Sequence, residues 1–413
     1  MVQEDSNLFR FRSASTPPVA AGAVALCSLL LSGLIPTVLA DSGAVHATTT
    51  QTAREALDYA FRFATAIVSD EKDRTRAQEE VVSDYTTAGA FAEARDRALR
   101  IEGWRRGTAL ADLAGALARE GRAVEARELL RAAEEIRKKT GGWQGPRVAA
   151  HIAAALALLG EEEQATAMVT GLAAEDRQYS GPAAATAAIG KARRGDLDGA
   201  LQRLAGLDGD PDMDVAWART EGYLEIARLA GKDPAIRDRA LEAARRSADG
   251  LPGWKKADGI GRVADVLARQ GKVEEARAAL GEAEAIARSL PPTMPVKVAI
   301  LADLARIRGA TRDTEDARGL LRDAEDCIAA TLVIERPALL ARVGAAYSGL
   351  GDRNEARRLY DRALAEVGNL VNARPRALAL VTICRSLGQD GGPLRDPVRA
   401  RLDHLLAGLK DPW

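Results

Sequence analysis

From Asp258 to Ala287 apolar residues recur every three or four positions, first in DGIGRVADVLARQ and then, past Gly271, in KVEEARAALGEAEAIA. That period gathers Val, Leu and Ala on one face and Arg, Asp and Glu on the other, which predicts two amphipathic helices of about four turns each. Glycine between them closes the first helix, because the residue after a helix end prefers a left-handed backbone. The same layout fills most of the 413 residues, and strand-like alternation is missing throughout. The predicted fold class is therefore all-α.

The units share a spacing. Gly271, Ala276 and Ala283 repeat as Gly121, Ala126, Ala133 and as Gly351, Ala356, Ala363. The first half recurs at Gly89/Ala94, Gly160/Ala165 and Gly195/Ala200. Gly231 with Ala240, and Gly309 with Ala317 and Ala324, are read as units with insertions at the turn, and a last partial unit ends at Gly388. The turn glycines lie 32 to 42 residues apart, a period at which helical arrays occur. Small alanines let paired helices approach closely. One pair cannot bury its own apolar face, so neighbours must stack.

This pattern resembles the tetratricopeptide repeat family. Its small residue seven before the turn glycine is matched by Ala114, Ala153, Ala188, Ala264 and Gly344. Its large residue four after the first alanine is matched by Leu130, Leu204, Leu280, Leu321 and Tyr360. The resemblance covers about residues 75–390. Leu110, Ile260 and Leu340 stand where the family has a first-helix Trp, the closing Pro is missing, and the units exceed the family's length. It implies a right-handed α-solenoid of about eight antiparallel helix pairs with a C-terminal capping helix, Arg395 to Leu409. It also implies a role in binding a peptide or protein along the concave face. The clamp of the family's chaperone-tail binders has no counterpart, since Ala111, Ala150 and Ala185 occupy that region.

Trp104, Trp143 and Trp254 each follow a glycine and precede a turn glycine by seventeen residues. Either they staple the start of each first helix, or they form an aromatic edge that binds a partner. Trp217 falls three residues later in phase. Arg119, Arg193 and Arg269 each sit two before a turn glycine. They either offset the helix dipole or form a row in the groove that takes the carboxylates of an acidic peptide. These six residues are the candidate partner-binding set.

Charge and composition narrow the rest. Net charge is −1, with no basic face or arm of the kind nucleic acid requires. Hydrophobic residues are 47% but aromatics only 4%, fewer than a helical glycan enzyme needs around its carboxylates. Cys27, Cys327 and Cys384 and the three histidines show no metal-ligand spacing. Cys327 and Cys384 are expected as buried free thiols. Asp210, Asp212, Asp214 and Glu221 imitate a calcium loop, but Val215 stands where its glycine belongs. That segment is read as a polar turn with Asp214 capping the next helix. No catalytic residue, cofactor or metal is expected.

Residues 19–40 carry no charge; Arg10 and Arg12 precede them and Asp41 follows. Residues 1–40 are read as a cleaved signal peptide or an uncleaved membrane anchor, both of which place the remainder outside the cytoplasm. Residues 41–53 are read as a flexible linker and residues 54–413 as the repeat domain. The function expected is a non-catalytic, extracytoplasmic protein-binding scaffold. A self-associating structural array and a helical-repeat envelope enzyme are the alternatives.

Overall fold

The computed structural model describes residues 43–172, 177–210, 212–231 and 233–409. The uncharged segment 19–40 lies outside them. Among the described residues every regular element is a helix. The described residues open with α1 (Gly43–Thr65), and eight hairpins follow. They are α2 (Glu71–Thr87) with α3 (Phe91–Leu99), α4 (Trp104–Arg119) with α5 (Ala123–Lys138), and α6 (Gln144–Leu159) with α7 (Glu162–Gly171). Next come α8 (Arg177–Arg193) with α9 (Leu197–Ala205), α10 (Met213–Leu229) with α11 (Pro234–Asp249), and α12 (Gly253–Arg269) with α13 (Val273–Ser289). The last two are α14 (Pro295–Ala310) with α15 (Thr314–Ile328) and α16 (Arg336–Gly349) with α17 (Arg353–Gly368). The chain ends with α18 (Ala373–Asp390) and α19 (Asp396–Ala407). The architecture is the all-helical array of antiparallel pairs that the periodicity predicts.

The turns explain the glycine spacing. Gly89, Gly121, Gly160, Gly195, Gly271 and Gly351 have φ between 71° and 95°. The amide that follows each one bonds back to a carbonyl five residues earlier, as Lys272 does to Leu267 at 3.0 Å. The unit read as having an insertion at Gly309 is regular. Arg312, with φ 66°, takes the left-handed position, and Asp313 bonds back to Arg308 at 3.2 Å. Counted from Arg312, Ala317 and Ala324 fall at the standard five and twelve. An L-residue there is strained. Arg312→Gly is expected to stabilise the protein by about 0.5–1 kcal/mol, read as a rise in the urea midpoint at unchanged slope.

The alanines at five and twelve are buried in every complete unit that carries both. Close approach also demands glycine inside first helices: a Cβ on Gly190 would lie 2.4 Å from the Ala157 carbonyl oxygen. Cations near the start of first helices bond to carbonyls ending the preceding helix. Arg106 reaches Ile101 at 2.6 Å, Lys297 reaches Arg288 and Leu290 at 2.7 Å each, and Arg336 reaches Ala329 at 2.8 Å. These bonds satisfy acceptors the helix itself leaves open.

The array closes on itself. No second helix follows α18; the chain turns at Gly391 and enters α19, which lies against α17 and α1. The place beside α18 is filled by α1, from the opposite end of the chain. Ala53, Leu57 and Ala60 reproduce the small-large-small spacing of a second helix, and all three are buried. A Cβ on Gly388 would come within 3.3 Å of the Leu57 side chain, so the two helices are in close contact. First helix α2 in turn packs on α18. Arg374 bonds to Asp73 at 2.7 Å, Arg385 to Glu80 at 2.6 Å and to Asp84, and Tyr59 to Asp403 at 2.9 Å.

Nine helix pairs therefore form a ring, the ninth built from both chain ends. The break falls within a pair, where apolar contact is most extensive, rather than between pairs. One core cluster runs around the ring from Ala56 to Leu405. The expected linker is corrected here: α1 already begins at Gly43, because Ala53 and Ala56 belong to the docked face and the helix extends upstream from them. The expected capping helix is α19, shortened by one residue at its start and two at its end.

Candidate functional site

Closure changes what a concave face is. First helices touch one another around the ring, while second helices lie outside them. Each first helix then turns one charged stripe, part of it buried, toward the inner side of the ring, the lumen. On α12 the stripe is Asp258, Arg262, Asp265 and Arg269; on α10 it holds Glu221, Glu225 and Arg228.

These charges pair sideways between units. Arg193 of α8 bonds to Glu225 of α10. Arg269 holds Asp265 at 3.0 Å, and Arg228 reaches the same carboxylate at 4.0 Å. Arg262 lies 3.2 Å from both Asp258 and Glu221. Arg342 holds Asp303 at 2.7 Å. Burial lifts Glu221 above the usual carboxylate range, with Arg262 and Arg228 opposing. Burial acts the same way on Asp303, but Arg342 and Arg306 outweigh it and leave that group low.

The predicted arginine row thus faces the lumen, but two of its three members are occupied. Arg193 and Arg269 are each paired with a carboxylate of their own wall. Arg119 has an exposed side chain. Crowding by the surrounding chain, which limits hydration even of this exposed side chain, and the nearby charge of Arg193 pull its pKa down, while Glu225 and Asp112 pull it up.

One further pair on this side was missed by the sequence reading. His151 Nδ1 lies 2.6 Å from Asp112 Oδ1, the histidine almost fully buried between α4 and α6. His151 and Asp112 each stand nine residues before a turn glycine, so the repeat register could have found them.

The tryptophans lie at the opposite rim, where loops lead into first helices. Gly103, Gly142 and Gly253, the residue before each Trp, have φ of 64°, 60° and 47°. The Gly-Trp pair is therefore a helix-entry device: glycine supplies the left-handed bend and Trp packs the first turn. Trp104 and Trp254 are half-buried against the core. Arg105 and Arg147 place guanidinium groups 4.5 Å and 5.0 Å from the Trp104 ring. Trp143 stands edge-on to Trp104, ring centres 5.4 Å apart, and is 52% exposed. Trp254 belongs to a separate unit, so two of the three meet and no continuous aromatic row exists. Trp217, out of phase, is buried beneath Arg262.

This rim carries more. Val371, Val68, Leu99, Trp143, Met213, Leu332, Val333 and Ile334 are exposed and all sit at or beside loops entering first helices. The opposite rim exposes only Val124 and Leu229 among large apolar residues described. Composition could not separate these residues from core, because their exposure depends on which loop they occupy.

The calcium-like segment disperses. Asp212, not Asp214, caps α10, accepting from the amides of Asp214 and Val215. Asp214 is instead drawn to Lys255 at 2.9 Å. Among the described residues no cluster could hold a metal ion, and no helix is long and apolar enough to cross a membrane. Cys327 and Cys384 are free and buried.

No family profile and no curated protein matches the chain. Among solved structures it is similar to a chain described as "Circular tandem repeat protein with novel repeat topology and enhanced subunit contact surfaces". The two are 13% identical with a TM-score of 0.30, over 87% of this chain and 96% of that one.

Proposed function

We propose that this tetratricopeptide-like ring is a non-catalytic scaffold acting outside the cytoplasm, and that a protein partner docks on its loop rim. The observation that carries the reading is the one-sided distribution of exposed apolar residues. Leu332 is 65% exposed and Val371 78% exposed, both on the rim that holds Trp143. Clustered exposed apolar groups mark interaction surfaces, and a half-exposed Trp against a second Trp makes a rigid anchor. The lumen is a poorer surface, since its charges are largely satisfied by one another. Export is supported by the uncharged residues 19–40 with Arg10 and Arg12 before them.

The test is affinity capture from envelope extract with residues 43–413, in parallel with Trp143→Ala, Leu332→Ser/Ile334→Ser and Arg119→Ala. Trp143 is largely outside the core, so its alanine variant should keep its stability within about 0.5 kcal/mol. Loss of a specific partner in both rim variants, with Arg119→Ala unaffected, is the expected result. Loss in Arg119→Ala alone would move the site into the lumen and end the rim reading. The same apolar rim also suits a second copy of the ring. Light scattering across concentration distinguishes this: the rim-variant chains stay monomeric where the wild type associates.

A further inference from the structure

A cleft of ≈ 630 Å³ opens on the outer wall where the chain ends meet. Asp58, Phe61, Arg62 and Thr65 line it at successive turns of α1. Gln78 of α2, Arg97 and Arg100 of α3, and Leu406 of α19 complete it. Small-molecule sites occupy about 300–1,000 Å³, so the size suits a compact ligand and is too short for an extended chain.

Its polar groups are unequally committed. Asp58 accepts through one oxygen, Oδ1, from the Tyr85 hydroxyl and from Arg97, both at 2.7 Å, and Arg97 offsets its charge. Arg97 is fixed by that bond and stands 5.3 Å over the Phe61 ring. Arg62 and Arg100 are held from outside the cleft, Arg62 by Asp403 at 3.7 Å and by the Tyr59 ring 4.8 Å away, Arg100 by Asp96 at 2.9 Å. Both carboxylates are about half exposed, and ion pairs of that kind contribute about 0–1 kcal/mol. Exchanging them for a ligand's anion therefore costs little. Leu406 supplies apolar surface beside these guanidinium groups, backed by the edge of the largely buried Phe61 ring.

We infer that this cleft binds a small organic anion, a carboxylate or phosphate joined to a flat apolar group. Arg62 and Arg100 take the anion; Phe61 and Leu406 take the flat part. Because the lining comes from both ends of the chain, a bound ligand favours the closed ring through mass action.

The probes are benzoate, phenyl phosphate and inorganic phosphate, with benzyl alcohol as the uncharged analogue, at constant ionic strength. Calorimetric titration and thermal melting of the chain read the outcome. Saturable binding of phenyl phosphate or benzoate with a raised melting temperature is expected, and whichever binds more tightly identifies the anion. Arg62→Gln and Arg100→Gln should each weaken it about tenfold, or about 1.4 kcal/mol, without moving the ligand-free melt. The inference is overturned if neither aromatic anion saturates below about 10 mM, if benzyl alcohol or inorganic phosphate binds equally well, or if both variants retain full affinity.

Discussion

Removing residues 1–65 is expected to unravel both ends of the array, far beyond the loss of one helix. The deletion takes α1 out of the ninth pair and leaves the apolar face of α18, including Ala377, Leu380 and Cys384, without cover. It also removes Leu57, Phe61 and Phe63, all buried. Each such side chain contributes about 1.5–3 kcal/mol when buried, so the gross loss is about 5–9 kcal/mol, comparable to the whole stability of a domain. In repeat arrays stability passes between neighbours. The central pairs should therefore survive as an open array, while α2, α3, α18 and α19 fray. Circular dichroism should lose more helix than the deleted residues account for, and the first transition should move to much lower temperature. Phe63→Ala in the intact chain should cost about 3–5 kcal/mol. A separate peptide of residues 43–70 should restore the truncated protein. A truncated chain that melts like the full one would show that α1 adds nothing to closure.

The second large effect concerns pH. Asp390 ends α18, one residue before the left-handed Gly391. Burial pushes its carboxyl up from an ordinary 3.8 to about 7, while the Tyr360 and Ser348 hydroxyls pull the other way without prevailing. A negative charge at a helix C-terminus is also opposed by the helix dipole. Between about pH 4 and pH 7 the folded chain keeps this proton and the unfolded chain releases it. The stabilisation it gives is thus complete below pH 4, declines as pH rises, and is gone above 7. A raised value of this size corresponds to about 2–4 kcal/mol after allowance for partial solvent contact. Asp390→Asn should remove this component. At pH 8 the variant should exceed the wild type by about that amount, and at pH 4 the two should be close. Urea midpoints at both pH values measure the difference. Equal midpoints at pH 8 would mean that Asp390 is ionised in the folded ring at no cost.

Much of the fold was legible because it is local. Turn glycines and the alanines five and twelve beyond them report contacts within one hairpin, which sequence period encodes directly. Arg312 concealed one turn, since it adopts the glycine's conformation without being glycine. The ring was harder to see. Closure requires each of nine units to turn by about 40°, and that angle emerges from packing details such as the close approach at Gly190. Yet a signal was present: Ala53, Leu57 and Ala60 spell a second helix with Thr48 rather than a turn glycine five residues before it, while α18 is a first helix with no second helix after it among the described residues. The binding set divided along similar lines. Gly-Trp spacing pointed to helix entry, and the positive φ of the three glycines bears that out. Which tryptophan stays exposed depended on neighbouring units. The arginine row lay on the lumen side as its register implied, but the pairing of Arg193 with Glu225 comes from an adjacent helix that no single unit reveals.

The most direct test of ring closure is a distance across the seam. Spin labels at Val68 and Val371, both exposed and in loops entering α2 and α18, should give one narrow distribution at about 10–25 Å, one or two helix spacings. Adjacent placement follows from the Arg374–Asp70 contact of 3.2 Å. An open array would separate the same labels by up to eight spacings, about 65–80 Å. A broad or long distribution in the intact chain would contradict the ring.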